Sequence, residues 1–246
     1  MQINIPSEAE ISEEIKHGLK HFWKVREDGV LHGKTMNAFE QIIKKLLIQN
    51  GISEDHIVSG TKARLPGFFR VSKNWDIVVY KPLEDGRNLL LAAVEMKSMF
   101  GSVGNNLNNR SEEAIGSAFD LQQANIRLHL SGSENTFGRP FVGYIFVLGE
   151  HEDNKNGSRI TIPLFEADEV FTTQDGNGEI IPESYETRIE VLVNRLVESE
   201  LYTTGTFIIA NADDHGKYIE PSHELGFYQF VAKMLGDVVS RYHVSK

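Results

Sequence analysis

The chain of 246 residues contains no cysteine. That excludes disulfide scaffolds, thiolate zinc sites, iron–sulfur clusters and cysteine nucleophiles. Long apolar runs are also missing. The longest, Leu89 to Val94, is six residues, whereas a membrane helix needs about 20. The amino terminus carries neither a basic stretch nor an apolar core segment, so no signal peptide is expected. The protein is expected to be soluble and cytoplasmic, with no membrane partner. Basic residues are in deficit as well: 25 Lys and Arg face 35 Asp and Glu, a net charge of −10. Taken alone, that balance argues against nucleic acid as a partner. Walker loops, Rossmann glycine patterns, Gly-x-Ser-x-Gly elbows and His-Glu-x-x-His motifs are absent.

The composition that remains is ordinary for a globular protein, with 40% hydrophobic and 24% charged residues. Disordered, collagenous and coiled-coil classes are excluded. The charge is unevenly spread. Residues 61–110 carry eight basic and four acidic side chains, leaving +4 in that window and −14 elsewhere. Local potential can outweigh net charge in binding an anion, although sampling alone gives an excess of this size.

Hydrophobic periodicity orders the elements. Ser7 and Glu10 form a capping box ahead of Ile11, Ile15, Leu19 and Phe22 at helical spacing. A second helix is expected over residues 35–50, with Gly51 as its C′ residue. Residues 52–74 read as irregular. Strands are expected over 75–80, 89–97, 141–148 and 206–210. The stretch 101–109, rich in Gly, Ser and Asn, reads as a loop, and 150–159 as a polar loop. Further helices are expected over 111–130, 185–202 and 222–242. The order implies a single α/β domain over residues 1–246, with a catalytic core over about 35–150 and added elements over about 160–246.

One constellation carries chemistry. In a strand ending Glu95-Met96-Lys97, Glu95 and Lys97 share a face and Met96 points into the core. If that strand pairs with its predecessor through the Glu84-Asp85-Gly86 turn, Asp76 comes near Glu95. Two carboxylates and a lysine at one sheet edge suit phosphodiester hydrolysis: the acids hold a metal and the lysine stabilises developing charge. The bare acid-x-Lys triplet is unspecific, for Glu14-Ile15-Lys16 and Asp153-Asn154-Lys155 also contain it. Only the third ends a buried strand with an aspartate heading the strand before. The bland alternative is a Glu95–Lys97 salt bridge beside a solvated Asp76. Downstream, Asn105, Asn106, Asn108, Asn109 and Arg110 fall within six residues. Asn can bond adenine bidentately and Arg guanine, while turn propensity is the ordinary reading of such a loop.

Asp76 followed by Glu95-Met96-Lys97 on adjacent strands resembles the PD-(D/E)XK nuclease superfamily. The stretches Ala63 to Arg70, Lys73 to Asp76, Val94 to Ser98, Gly104 to Ser117 and Arg139 to Tyr144 are similar to the XhoI-type type II restriction endonucleases. Trp75 stands where the superfamily often has proline. The resemblance implies a restriction-endonuclease-like core, a mixed central sheet flanked by helices. It implies a homodimeric, Mg²⁺-dependent enzyme cutting double-stranded DNA at CTCGAG and leaving 5′-phosphate ends, with a cognate methyltransferase protecting the host. Asp76, Glu95 and the Met96 backbone carbonyl match the metal ligands, and Lys97 the catalytic lysine. Glu40 is the candidate for an accessory helix acid, with a solvated helix surface as its alternative. Arg64, Arg70, Lys73, Asn105, Asn106, Asn108, Asn109 and Arg110 are candidate DNA contacts, some to phosphates rather than bases. A structure-specific repair nuclease on the same fold and a non-catalytic DNA-binding protein are the competing readings.

Elsewhere, His17 and His21 have the spacing of metal ligands on a helix but lack an acidic third partner, so a solvated face is expected. Asp213-Asp214-His215-Gly216 is expected to form a turn.

Overall fold

The computed structural model describes residues 2–29, 35–101, 103–132, 138–155, 165 and 168–244. The chain forms α1 (Glu8–Glu27), α2 (Asn37–Gln49), β1 (Ile57–Ser59), β2 (Arg64–Pro66), β3 (Ser72–Asn74), β4 (Ile77–Pro82), β5 (Asn88–Met99) and α3 (Val103–Leu128). It continues with β6 (Phe141–Gly149), α4 (Glu152–Lys155), β7 (Thr172–Gln174), β8 (Ile180–Pro182), α5 (Tyr185–Glu198), β9 (Thr204–Ala210), β10 (Tyr218–Ile219) and α6 (Phe227–Val244).

The central sheet runs β1-β4-β5-β6-β9-β10. The pairs β1–β4, β4–β5 and β9–β10 are antiparallel, whereas β5–β6 and β6–β9 are parallel. Two cores lie on its two faces. Ile77, Val79, Val94, Met96 and Ile145 pack with α1, α2 and α6. Val78, Ala93, Tyr144, Phe146 and Phe207 pack with α3 and α5. Burying each such large side chain contributes roughly 1.5–3 kcal/mol, and both faces are covered, which is why β5 and β6 read as continuous apolar runs.

A register shift decides which face carries the acid-x-Lys triplet. Val79 pairs with Ala92 and Tyr80 with Leu90, so Leu91 is the extra residue of a bulge. Leu91 and Ala92 therefore both belong to the α1–α2–α6 core. The bulge resets the alternation, and Glu95 and Lys97 fall on the α3–α5 face while Met96 enters the other core. Bulges that re-aim a side chain in this way recur beside active sites.

The capping box of α1 forms as expected, with Ser7 accepting from the Glu10 N–H. Gly51 takes a left-handed conformation (φ 84°) after α2. Four expectations need correction. Residues 103–109 are not a loop: α3 starts at Val103. Asn and Gly disfavour a helix by roughly 0.7–1 kcal/mol each, but Val103, Leu107, Ala114, Ala118 and Leu121 recur at helical spacing and are buried against the sheet. Close approach explains Gly104, where an added Cβ would collide with the Tyr185 hydroxyl. Residues 52–74 are not wholly irregular, since β1 joins the sheet and β2 pairs with β3 as a hairpin. Asp76 sits just ahead of β4 rather than within a strand. Within the 150–159 stretch, α4 occupies 152–155, and 156–159 lie outside the described residues.

Candidate active site

Asp76 is positioned by the backbone on both sides of its carboxylate. Its N–H donates to the Val94 carbonyl (3.1 Å), extending the β4–β5 ladder by one step and setting it opposite Glu95. Its Oδ2 accepts the Met96 N–H at 2.6 Å. Lys97 Nζ lies 2.8 Å from Glu95 Oε1, and the Glu95 side chain is only 1% exposed. A second ammonium shares that oxygen: Lys73 Nζ, at the end of the β2–β3 hairpin, is 3.0 Å from Glu95 Oε1. It also lies 4.8 Å above the ring of buried Trp75. This end of the sheet thus gathers two carboxylates and two lysines, and Asp76 is half-buried rather than freely solvated.

Burial pushes the Asp76 carboxyl above the usual carboxylate range, with Glu95 adding to it and the Met96 N–H, Lys97 and Lys73 opposing it. Glu95 Oε1 is doubly paired, but the buried Oε2 has no hydrogen-bond partner. The hydroxyl of Tyr144, the residue paired with Glu95 across β5–β6, is likewise unpartnered. Buried polar atoms are rarely left so. A bare carboxylate oxygen beside a second carboxylate is what a divalent cation would satisfy, and the donor set is the all-oxygen set such ions prefer. The described residues contain no group of three or more His, Asp and Glu able to hold a metal. Asp76, Glu95 and the Met96 carbonyl would therefore leave the remaining ligand positions to water and substrate.

The sequence matches the model of the restriction endonuclease XhoI family over residues 20–220. The chain belongs to this family. It is accordingly an enzyme of the type II site-specific deoxyribonuclease class. It is 33% identical to the type II restriction enzyme BstVI of Geobacillus stearothermophilus, over 86% of this chain and 90% of that one. It is 38% identical to the type II restriction enzyme XhoI of Xanthomonas vasicola, over 69% of this chain and 62% of that enzyme. With the type II restriction enzyme AbrI of Azospirillum brasilense the identity is 37%, over 54% and 56% of the two chains. No solved structure matches significantly. The mixed sheet flanked by helices is the architecture expected of a restriction-endonuclease-like fold.

The other family-suggested residues are spread around this edge. Glu40 pairs with Lys44 at 2.7 Å, on the helix across the sheet from Lys97. Lys44 in turn bonds Ser59, which pairs with Ile77 next to Asp76. The start of α2 also approaches the site, for Thr35 Oγ1 is 2.9 Å from Ser98 Oγ. Glu40 is thus at the right end of the sheet, with its carboxylate engaged by Lys44. Arg64 is exposed and donates to Asn74 Oδ1, and Arg70 is paired with Asp120 at 2.7 Å. Asn105, Asn106, Asn108, Asn109 and Arg110 lie in the opening turns of α3. Asn108 accepts from Arg188 of α5, Asn109 is exposed, and Arg110 pairs with Glu113 at 2.7 Å.

Three residues near the site have contacts that the sequence did not show. Lys73, expected only as a candidate DNA contact, stands on Glu95. Glu113 lies 3.7 Å from Lys97 Nζ and links it to Arg110. Tyr144 sits beneath Glu95, its hydroxyl pushed well above the ordinary range by burial and then by the Glu95 charge. The i, i+3 spacing of Arg110 and Glu113 was a usable signal for the second, given a helix there. Asp213 to Gly216 form a turn, with the Gly216 N–H on Asp214 Oδ1, and His215 stacks on Trp23.

Proposed function

We propose that this protein is a single-domain, homodimeric type II restriction endonuclease that hydrolyses double-stranded DNA at the palindrome CTCGAG, with Mg²⁺ as its cofactor and 5′-phosphate ends as products. It acts in the cytoplasm beside a methyltransferase of the same specificity. The observation that carries this reading is the unpartnered, buried Glu95 Oε2, flanked by Asp76 and by two lysines on its sister oxygen. Kinship with the type II restriction enzymes BstVI, XhoI and AbrI supports the reaction class, and the recognition sequence follows only from the resemblance to the XhoI type.

Asp76 and Glu95 would hold the metal, with the Met96 carbonyl as a backbone ligand. A bound divalent cation supplies positive charge at the phosphoryl oxygen and eases deprotonation of water. The Met96 N–H fixes the rotation of the Asp76 carboxylate. Lys97, held by Glu95 and by Glu113, presents its ammonium where negative charge builds on phosphorus. Lys73 places a second ammonium on Glu95 Oε1. No helix among the described residues is long and apolar enough to cross a membrane. A twofold dimer would read two identical half-sites and cut both strands.

Digestion of phage DNA by the purified protein, followed by mapping and by ligation of the products, tests this. Discrete fragments ending at CTCGAG, formed only with divalent metal and ligatable without kinase treatment, are expected. Fragments at another sequence remove the assigned site. Cutting of branched or mismatched duplexes in preference to a hexamer would favour a repair nuclease, and DNA binding without nicking would favour a non-catalytic protein.

A further inference from the structure

The β2–β3 hairpin carries an apolar tip that the fold leaves uncovered. Phe69 is 69% and Val71 95% exposed, and Phe68 and Phe119 are also exposed. This is not a loose loop. Phe68 meets Phe69 edge to face at 4.8 Å, and Phe69 stacks on Phe119 of α3 at 5.9 Å. Asp120, buried at 3% exposure, accepts the Phe68 N–H at 2.8 Å, the Phe69 N–H at 2.7 Å and Arg70 Nε at 2.7 Å. Gly67 packs so closely on Asp120 that a Cβ there would overlap its carboxylate. Burial alone would raise the Asp120 carboxyl, but Arg70 and the Phe69 and Phe68 N–H groups hold it below the usual carboxylate range. The acid is thus satisfied, and what stays unmet is the exposed apolar surface of the tip, the kind of patch that marks an interaction site.

We infer that this hairpin is the element that enters the DNA groove, with Phe68 and Phe69 packing against bases beside the scissile phosphate. The inference rests on the endonuclease reading above and adds to it the apolar contact that no charge pattern suggested. Three observations select DNA over a second copy of the chain. The hairpin and its approach, Ile57 to Trp75, carry Lys62, Arg64, Arg70 and Lys73 and no acidic residue, in a chain of net charge −10. Arg70 and Lys73 pair with Asp120 and Glu95, and Lys62 and Arg64 are left exposed to face an anion. A twofold contact would set such a patch against its own copy, cation to cation. The hairpin also ends in the active site, where Lys73 meets Glu95. Finally, one helix connects the active site to the tip. Seven residues of α3 separate Glu113, which touches Lys97, from Asp120, which holds the tip. At 1.5 Å per residue that is a rise of about 10 Å along the helix, so the tip and the catalytic lysine are held on one rigid element. Apolar contact with the thymine methyl is an established part of major-groove readout.

The test is the binding of a fluorescent CTCGAG duplex, with Ca²⁺ in place of Mg²⁺ to prevent cutting, by the wild type, Phe69→Ala, the double variant Phe68→Ala/Phe69→Ala, and Phe69→Trp. Ile219→Ala, an exposed apolar residue on the far edge strand, is the control. The double variant is expected to bind at least tenfold more weakly while melting and sedimenting like the wild type. Phe69→Trp should restore binding, and Ile219→Ala should not alter it. Unchanged binding by the double variant overturns the inference. A changed sedimentation coefficient overturns it in favour of a subunit interface. A well-folded wild type that neither binds nor cuts any duplex would remove the endonuclease reading itself, and the inference with it.

Discussion

Lys73 and Lys97 hold the same oxygen of Glu95, at 3.0 and 2.8 Å. One ammonium comes from the hairpin that precedes Asp76 and the other from β5 itself. Either alone can compensate a carboxylate that is almost wholly buried. The pair is therefore expected to be non-additive in stability. Lys73→Met and Lys97→Met should each cost about 1 kcal/mol, the net worth of one such contact. The double variant should cost about 3–5 kcal/mol, because Glu95 is then a buried charge without a partner. Urea denaturation of the four proteins checks this, and strict additivity would show that the lysines act independently. Cleavage should separate the two roles, with Lys97→Met inactive and Lys73→Met slowed.

Asp76 is under tension between function and folding. Its carboxyl is raised chiefly by burial, so the folded state binds the proton more tightly than the unfolded chain does. Stability from this group consequently falls as pH rises from the ordinary aspartate value through the raised one. Asp76→Asn keeps the acceptor for the Met96 N–H and removes the charge. The metal-free variant is expected to melt above the wild type at pH 7, with the difference shrinking towards pH 4, and to cut no DNA. A melting temperature below that of the wild type at pH 7 would contradict this.

The junction of α3 with α5 depends on the absence of a side chain at residue 104. Gly104→Ala would drive a methyl group into the Tyr185 hydroxyl, at a cost of about 1–3 kcal/mol. Tyr185→Phe should recover most of that loss in the Gly104→Ala background while changing the wild type little. Thermal unfolding of the two single variants and the double variant tests the coupling.

The asparagines of α3 should divide by role. Asn108 is tied to Arg188 at 3.1 Å, whereas Asn109 is exposed. Asn108→Ala is expected to lower stability by less than about 1 kcal/mol and leave sequence preference alone. Asn109→Ala should weaken cognate binding by about 1–3 kcal/mol, as loss of a base contact does. A cognate-to-random binding ratio that is unchanged in Asn109→Ala would assign that residue elsewhere.

Much of this site was legible in the sequence because strands have a period of two. Glu95 and Lys97 had to share a face, and Met96 had to enter the core. The face itself was not legible, because it depends on the extra residue at Leu91, and nothing in an apolar run marks a bulge. The start of α3 was hidden for another reason. Asn105 to Asn109 carry turn chemistry, and only tertiary burial of Val103 and Leu107 overrides it. Lys73 and Asp120 escaped because their partners lie 22 and about 50 residues away in the chain. The excess of basic residues over 61–110 raised an anion-binding face as one expectation, but it did not show that Lys73 would stand on Glu95.

The central claim is that Asp76, Glu95 and Lys97 form a metal-dependent phosphodiesterase centre. Single-turnover cleavage of a duplex bearing one CTCGAG site, by the wild type, Glu95→Gln and Lys97→Ala with Mg²⁺, tests it most directly. The account predicts that the wild type cuts both strands, and that each variant retains DNA binding but cuts at least about a thousandfold more slowly, the scale of losing a principal source of transition-state charge stabilisation. Cleavage by either variant at the wild-type rate would contradict it.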